Sequence, residues 1–126
     1  MRNVTAILLM FAMLLAGCGA KQETPSYQRI SQEEAKKMMD IQDVIILDVR
    51  KQHEFDEKHI PGALLLPVGS ITKDTAAAVI PDLDATVLVY CRSGNRSQTA
   101  SSALAELGYR SIYEFGGINT WPYEVE

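Results

Sequence analysis

The chain has 126 residues and a formal net charge of −4 at pH 7. This length fits a single domain with one hydrophobic core, and the excess of acidic residues argues against nucleic acid as a partner. No internal repeat or low-complexity tract is visible, so we expect one domain behind a short N-terminal segment.

The first 17 residues have the pattern of a secretory signal peptide. Arg2 provides a positive charge, and the run from Val4 to Ala16 is apolar apart from Thr5. The run is too short for a membrane-spanning helix, which needs roughly 20 apolar residues. A buried helix of the fold is the alternative, but the extreme N-terminal position behind one basic residue favours a signal peptide.

The end of this run is more specific. Leu15-Ala16-Gly17-Cys18 resembles the bacterial lipobox. The resemblance implies that residues 1–17 are removed and that lipidated Cys18 anchors the protein to a bacterial membrane, with its domain outside the cytoplasm. Residues 18–26 are polar and predict a tether, so the domain is expected over residues 27–126.

Helix and strand patterns alternate along this domain. Ser31 and Glu34 form a predicted capping box at the start of a helix. Strands are predicted in "DVIILDVR", "GALLLPV", "ATVLVY" and "YRSIYEF", and further helices in "SITKDTAAAVI" and from Ser97 to Leu107. The mixed-charge stretch "RKQHEFDEK" is interpreted as a solvated surface. Alternation of this kind predicts a parallel α/β sheet covered by helices on both faces.

The sequence contains two cysteines, of which the lipobox would use one. Cys91 then has no partner for an intramolecular disulfide. A lone thiol outside the cytoplasm is either buried and inert or retained for its reactivity. The neighbouring residues must decide between these alternatives.

The segment after Cys91 favours reactivity. Cys91 follows the strand that ends at Tyr90, and ligands bind beyond the carboxyl ends of parallel strands. Arg92 and Arg96 add positive charge, Gly94 allows a tight loop, and the next helix directs its first N–H groups towards that loop. Near such groups the pKa of a cysteine falls from about 8.5 to roughly 3.5–7.5. Taken singly, the arginines could form exposed ion pairs and the glycine an ordinary turn; together they predict an anion-binding loop around a thiolate.

The loop "CRSGNRS", residues 91–97, resembles the active-site loop of rhodanese-like sulfurtransferases. Three other segments match motifs of that family in the same order: "IILDVR" with the following "HEF", "HIPGA", and "GGINTW". The resemblance covers residues 27–121. It implies a rhodanese-like α/β fold, with a five-stranded parallel sheet flanked by helices on both faces.

The resemblance also implies a reaction. Catalytic Cys91 would alternate between thiolate and persulfide, taking sulfur from a small anionic donor such as thiosulfate and passing it to cyanide or a thiol. The residues expected to bind the substrate are Arg92, Ser93, Gly94, Asn95 and Arg96. No metal or organic cofactor is expected, and the protein is expected to be monomeric.

Three further residues are assigned to a supporting network. Asp48 and Arg50 are expected to orient loops at the carboxyl edge of the sheet. His59 could act as a base because histidine titrates near neutrality, but its place before Ile60-Pro61-Gly62 favours a hydrogen bond that fixes a turn. Trp121 is expected to pack in the core.

Several alternatives to sulfur transfer remain open. Cysteine-based phosphatases have a longer loop, whereas four residues separate Cys91 from Arg96, and the smaller loop suits a sulfur atom better than a phosphate. Arsenate reduction would normally require a resolving cysteine. A sulfur-carrier module or an envelope thiol-redox protein is also compatible with the sequence.

Overall fold

The structure is a computed structural model and describes residues 24–126. The predicted signal peptide and Cys18 lie outside the described residues, as does most of the predicted tether. These assignments therefore stay predictions. Within residues 24–126, none of the helices combines the length and the apolar character needed to cross a membrane.

Five strands and four α-helices alternate along the described chain. The strands are β1 (Gln28–Arg29), β2 (Ile45–Asp48), β3 (Leu64–Leu65), β4 (Thr86–Cys91) and β5 (Ser111–Gly117). The helices are α1 (Gln32–Ile41), α2 (Gln52–Glu57), α3 (Lys73–Val79) and α4 (Asn95–Glu106), with short 3-10 helices at Val68–Ser70 and Ile118–Thr120. The strands form one parallel sheet in the order β1-β5-β4-β2-β3.

The central strand β4 divides the core into two layers because successive side chains of a strand point to opposite faces. Val87 and Val89 pack on one face with Leu104 of α4. Leu88 and Tyr90 pack on the other face with Ala35 of α1. Every residue from 87 to 91 is buried, as expected for a strand of a parallel sheet covered on both faces. The predicted fold class is therefore confirmed.

Local differences from the sequence predictions have physical reasons. Helix α4 begins at Asn95, not Ser97, because Gly94 adopts a left-handed conformation and caps the helix there. Helix α2 occupies part of the stretch that was interpreted as solvated surface. The stretch is mostly exposed, as interpreted, and none of the residues of α2 is buried. What the sequence did not indicate is the helix itself, which Glu54 helps to start by accepting a 3.0 Å hydrogen bond from the Lys51 N–H. Elsewhere, Ser31 caps α1 as predicted, through a 3.0 Å hydrogen bond from the Glu34 N–H.

Candidate active site

Cys91 is the last residue of β4, and its thiol lies at the base of the loop that leads into α4. The residue is 1% exposed. Gly94 has φ +103°, in the left-handed region that favours glycine. This turn brings the Gly94 N–H to 3.0 Å from the Cys91 Sγ. The loop therefore folds back over the sulfur and directs backbone N–H groups at it, as predicted.

Gly117 of β5 seats this loop. A Cβ atom added to Gly117 would lie 1.9 Å from the Arg92 carbonyl oxygen and 2.5 Å from the Ser93 nitrogen. The Asn119 N–H also donates a 3.2 Å hydrogen bond to the Arg92 carbonyl. Close backbone packing therefore requires glycine at position 117, since any larger residue would displace the loop.

Two buried polar residues outside the predicted set of site residues form the inner wall of the site. The Cys91 Sγ lies 3.3 Å from the Ser97 Oγ. Ser97 donates a 2.6 Å hydrogen bond to the Glu114 Oε1, which also accepts one from the Gly116 N–H at 2.9 Å. Ser97 and Glu114 are both fully buried. The available signal for Glu114 was a charged residue inside the otherwise strand-like segment "SIYEF".

Hydrogen bonds control the ionisation of the thiol. Burial raises the pKa of Cys91, but the hydrogen bond with the Ser97 side chain and those from the N–H groups of Ser97, Gly94 and Ser93 outweigh it. The pKa is held below its ordinary value, in the direction predicted. The dominant causes are these short-range donors and not the arginine charges invoked from the sequence.

Arg96 and Arg92 have different surroundings. Arg96 forms a bidentate ion pair with Glu54 of α2, with Nη1–Oε2 and Nη2–Oε1 distances of 2.7 and 2.9 Å. The Arg96 hydrogen bond is the main reason that the pKa of Glu54 is lowered to about 2. Arg92 is exposed, and the ion pairs formed within residues 24–126 do not include it. Arg96 therefore braces α4 against α2, while Arg92 faces solvent.

A pocket of about 280 Å³ opens beside the loop. We call it the rim pocket; it is lined by Arg50, Glu54, Glu57, Lys58, Arg92, Ile118 and Asn119. Ser93 and Asn95 are exposed on the same loop. A larger cavity of about 750 Å³ is lined by residues of α1 and of the C-terminal segment together with Ile46, Ile60 and Pro61, and by no residue of the cysteine loop. The rim pocket thus borders the cysteine loop, through Arg92.

Asp48 and Arg50 form a buried pair at the end of β2. Arg50 Nη2 lies 2.6 Å from Asp48 Oδ2 and also donates a 2.7 Å hydrogen bond to the Lys58 carbonyl. The pair thereby holds the chain that follows α2, and the role predicted for it in supporting the active site stays a prediction.

His59 contacts Phe55 and Glu126. Its Nδ1 is 2.9 Å from the Phe55 carbonyl oxygen, and its ring stacks on Phe55 at a centroid distance of 3.9 Å. Its backbone exchanges two hydrogen bonds with Glu126. These contacts tie the segment before Ile60-Pro61-Gly62 to α2 and to the C-terminal residue, and the role predicted for His59 stays a prediction. Trp121 packs against Phe115 in the core. Within residues 24–126, no cluster of three or more His, Cys, Asp or Glu side chains is arranged to hold a metal ion.

Comparison with known proteins places this geometry in a family. The model of the rhodanese-like domain matches residues 31–123. Thiosulfate sulfurtransferase GlpE of Coxiella burnetii is 36% identical over 96 residues, which are 75% of this chain and 87% of that protein. Thiosulfate sulfurtransferase PspE of Escherichia coli K12 is 35% identical over 72 residues, 57% of this chain and 68% of that protein.

Solved structures give the same result. A structure described as rhodanese with anions, from E. coli, superposes with a TM-score of 0.62 and 30% identity, covering 67% of this chain and 98% of that one. The BH2092 protein of Bacillus halodurans superposes with a TM-score of 0.70 and 28% identity, covering 80% of this chain and 77% of that one. From its fold, its cysteine loop and its relatives named as sulfurtransferases, the chain belongs to the rhodanese-like domain family.

Proposed function

We propose that this protein transfers sulfane sulfur from a small anionic donor such as thiosulfate to cyanide or a thiol, through a persulfide on Cys91. The observation that carries the proposal is the placement of the Cys91 Sγ beneath the loop, 3.0 Å from the Gly94 N–H, with its pKa below the ordinary value. The resemblance of the whole domain to proteins named thiosulfate sulfurtransferases supports it.

The first half-reaction uses the thiolate as nucleophile. The Cys91 Sγ attacks the outer sulfur of thiosulfate, a new S–S bond forms, and the S–S bond within thiosulfate breaks. Sulfite leaves with the bonding electron pair. The negative charge moves to the outer sulfur of the persulfide, where preorganised N–H groups of the loop can stabilise it.

The second half-reaction restores the thiolate. The carbon of cyanide attacks the outer sulfur of the persulfide, thiocyanate is released, and Cys91 keeps the electron pair of the broken S–S bond. A thiolate acceptor would react in the same way and become a persulfide. Neither half-reaction needs an external oxidant or reductant.

The outer side of the loop supports an anionic donor. Arg92 carries a permanent charge beside the rim pocket, where it can form a charge-assisted hydrogen bond with an incoming anion. The similar E. coli structure is described as a rhodanese with anions, which is consistent with an anion site in this family.

Intact-mass analysis of the purified protein tests the proposal. Thiosulfate should add the mass of one sulfur atom, and cyanide should remove it with release of thiocyanate. Cys91→Ser should show no adduct, whereas Cys18→Ala, which removes the other thiol, should keep it. An adduct in Cys91→Ser would contradict the assignment, and an adduct without turnover would indicate a sulfur carrier.

We also propose that lipidated Cys18 anchors the domain outside the cytoplasm of a bacterial cell. The support is the lipobox-like segment Leu15 to Cys18. Cys18→Ala should accumulate as an unprocessed precursor without lipid, while Cys91→Ser should be processed normally. Normal processing and membrane retention of Cys18→Ala would contradict the anchor.

A further inference from the structure

A buried chain of three side chains leads inward from the thiol, away from the rim pocket. We call Cys91, Ser97 and Glu114 the inner chain. Its two links are the 3.3 Å contact from Sγ to the Ser97 Oγ and the 2.6 Å contact from that oxygen to the Glu114 Oε1. All three residues are at most 1% exposed. Burying a carboxylate is costly unless it is paired, so Glu114 requires an explanation.

Part of the explanation is structural. Glu114 accepts the Gly116 N–H at 2.9 Å through Oε1 and lies 3.2 Å from the Arg29 Nε through Oε2. Arg29 is 65% exposed, so its charge is strongly screened by solvent. These contacts hold the start of the "GGINTW" segment, but they do not account for the shortest contact of the carboxylate, which is the one to Ser97.

The number of protons in the inner chain limits its states. A serine hydroxyl has one proton to donate. While Cys91 is a thiol, its S–H can donate to Ser97 and the Ser97 O–H can donate to Glu114. Once Cys91 is a thiolate, both ends of the chain are acceptors. Ser97 can satisfy both only if Glu114 carries a proton and donates it to the Ser97 Oγ.

We propose that Glu114 is the proton-accepting end of a buried relay that generates the Cys91 thiolate. The thiol proton passes to the Ser97 Oγ as the Ser97 hydroxyl proton passes to the Glu114 Oε1. One S–H bond breaks, one O–H bond forms on Glu114, and the serine ends as it began. The inner chain keeps a single negative charge, which moves from the carboxylate to the sulfur.

The relay deepens the proposed function and rests on it for its role in the cycle. Glu114 is a positioning residue because it acts through Ser97 and does not touch the substrate. While Glu114 holds the proton, the thiolate or the persulfide anion has a neutral carboxyl group behind it. Repulsion between two buried anions is thereby avoided throughout the sulfur cycle.

The other charged groups around the inner chain come from every neighbouring element. Arg29 of β1 contacts Glu114 directly. On the solvent side of the loop are Arg92 and the paired side chains of Arg96 and Glu54, and β2 contributes the Asp48–Arg50 pair. Three of these arginines have carboxylate partners: Arg50 pairs with Asp48, Arg96 with Glu54, and Arg29 with Glu114 itself. Among them only Arg29 contacts the inner chain, and it does so through the Glu114 Oε2, on the side of the carboxylate away from Ser97.

The relay predicts an unusual pH profile for the thiol. Two groups that share one proton titrate in two macroscopic steps. Between those steps the thiolate fraction is set by the position of the proton and does not change with pH. The alkylation rate of Cys91 should therefore show a plateau around neutral pH and a second rise in alkali. If Glu114 simply remains ionised, the rate should follow a single sigmoid.

The experiment measures iodoacetamide alkylation against pH in the full chain carrying Cys18→Ala, so that Cys91 alone reports. Glu114→Gln keeps an oxygen acceptor for Ser97 and Gly116 but cannot take the proton. We expect it to lose the plateau and to react roughly tenfold more slowly than its parent near pH 6, the effect of about one pKa unit. A single sigmoid in the parent, or a Glu114→Gln variant that reacts equally fast or faster in acid because a negative charge has gone, would overturn the relay.

A second pair of variants keeps the test decisive if Glu114→Gln does not fold. Ser97→Ala breaks the link and leaves Glu114 its contacts with Gly116 and Arg29, so the plateau should disappear. Ser97→Thr keeps the hydroxyl and should retain the plateau. A plateau missing from Ser97→Thr, or one that persists in Ser97→Ala, would contradict the relay.

Alkylation does not depend on sulfur transfer, so the relay and the proposed function can be tested separately. An alkylation plateau without a thiosulfate adduct would refute the proposed function alone, and an adduct without a plateau would refute the relay alone.

Discussion

The two sides of the cysteine loop use polar groups in different ways. On the inner side, the Cys91 sulfur is buried against the Gly94 N–H and the Ser97 hydroxyl, at 3.0 and 3.3 Å. On the outer side, Arg92 and Arg96 lie closer to solvent, and Arg96 is already paired with Glu54.

This difference shows that proximity in sequence is a poor guide to electrostatic effect. Arg92 and Arg96 lie close to Cys91 in the chain. The Cys91 pKa is nevertheless lowered mainly by the hydrogen bonds of the inner side, which outweigh the opposing effect of burial. Short hydrogen bonds in a dehydrated site act strongly, whereas exposed charges are screened. The inner side therefore has the stronger effect on the ionisation of Cys91, while on the outer side the Arg96–Glu54 pair braces α4 against α2.

The largest expected effect on stability concerns Arg50, a charged residue that is buried. Arg50→Ala would leave Asp48, which is fully buried, without its cation. Removing one partner of a buried pair typically costs about 3–5 kcal/mol, and chemical denaturation would measure this loss. Arg110→Ala is the matched control, since Arg110 and Asp84 are 70% and 67% exposed and such pairs contribute about 0–1 kcal/mol. Equal losses in the two variants would contradict the view that burial decides the effect.

The second prediction concerns Gly117, against which the backbone of the cysteine loop packs. In Gly117→Ala, the new Cβ would collide with the Arg92 carbonyl oxygen and the Ser93 nitrogen. We expect a loss of about 1–3 kcal/mol from overpacking and roughly 100-fold lower sulfur transfer, because a displacement of about 1 Å can cost that much. Thermal melts and steady-state kinetics would measure both effects.

Gly69→Ala is the control for this variant, because a Cβ there meets nothing within 4 Å. It should alter neither stability nor sulfur transfer. If Gly117→Ala behaved like Gly69→Ala, the loop would not depend on its seat on β5.

The fold and the reactive cysteine were predictable because both rest on local patterns. Apolar runs such as "VIILDV" mark strands of a parallel sheet, and a cysteine at the end of such a strand marks the functional edge. Strand β1 has two residues, Gln28–Arg29, both exposed, so it carries no hydrophobic pattern of its own. The five-strand count came from the family resemblance.

The inner wall of the site was not predictable in the same way. Ser97 and Glu114 are 17 positions apart in the chain, and their contact follows from the packing of α4 on β5. The pairing of Arg96 with Glu54 spans 42 positions and depends on α2, whose helical nature the mixed charges of its sequence concealed. Contacts of this kind require the tertiary structure.

The third prediction tests the bracing role of the outer ion pair. The pKa of Glu54 is about 2 in the folded state, lowered from 4.5 mainly by Arg96. This stabilisation is fully present above the unfolded pKa and is lost as the pH falls through the folded pKa. Between pH 4.5 and about 2, the parent should lose roughly 1–2 kcal/mol more than Glu54→Gln, after allowance for partial exposure. Denaturation curves across this range would measure it, with Asp84→Asn as the control from an exposed pair; equal slopes in parent and Glu54→Gln would contradict the bracing role.

The smallest expected effect on stability belongs to Arg92. Its variants test whether Arg92 binds the substrate or supports the loop. Arg92→Ala should change the free energy of unfolding by no more than about 0.5 kcal/mol, as for other surface residues, whereas Arg96→Ala should cost more because Glu54 loses its partner. With thiosulfate, Arg92→Ala should lower kcat/KM roughly tenfold, the value of one charge-assisted contact; with a neutral sulfur donor the loss should be much smaller. Arg92→Lys, which keeps the charge, should recover part of the activity, and its kcat/KM for thiosulfate should still fall with added salt. An equal loss with both donors, or a collapse of the melting temperature in Arg92→Ala, would mean that Arg92 holds the loop, and the two sides of the loop would then differ less than their contacts indicate.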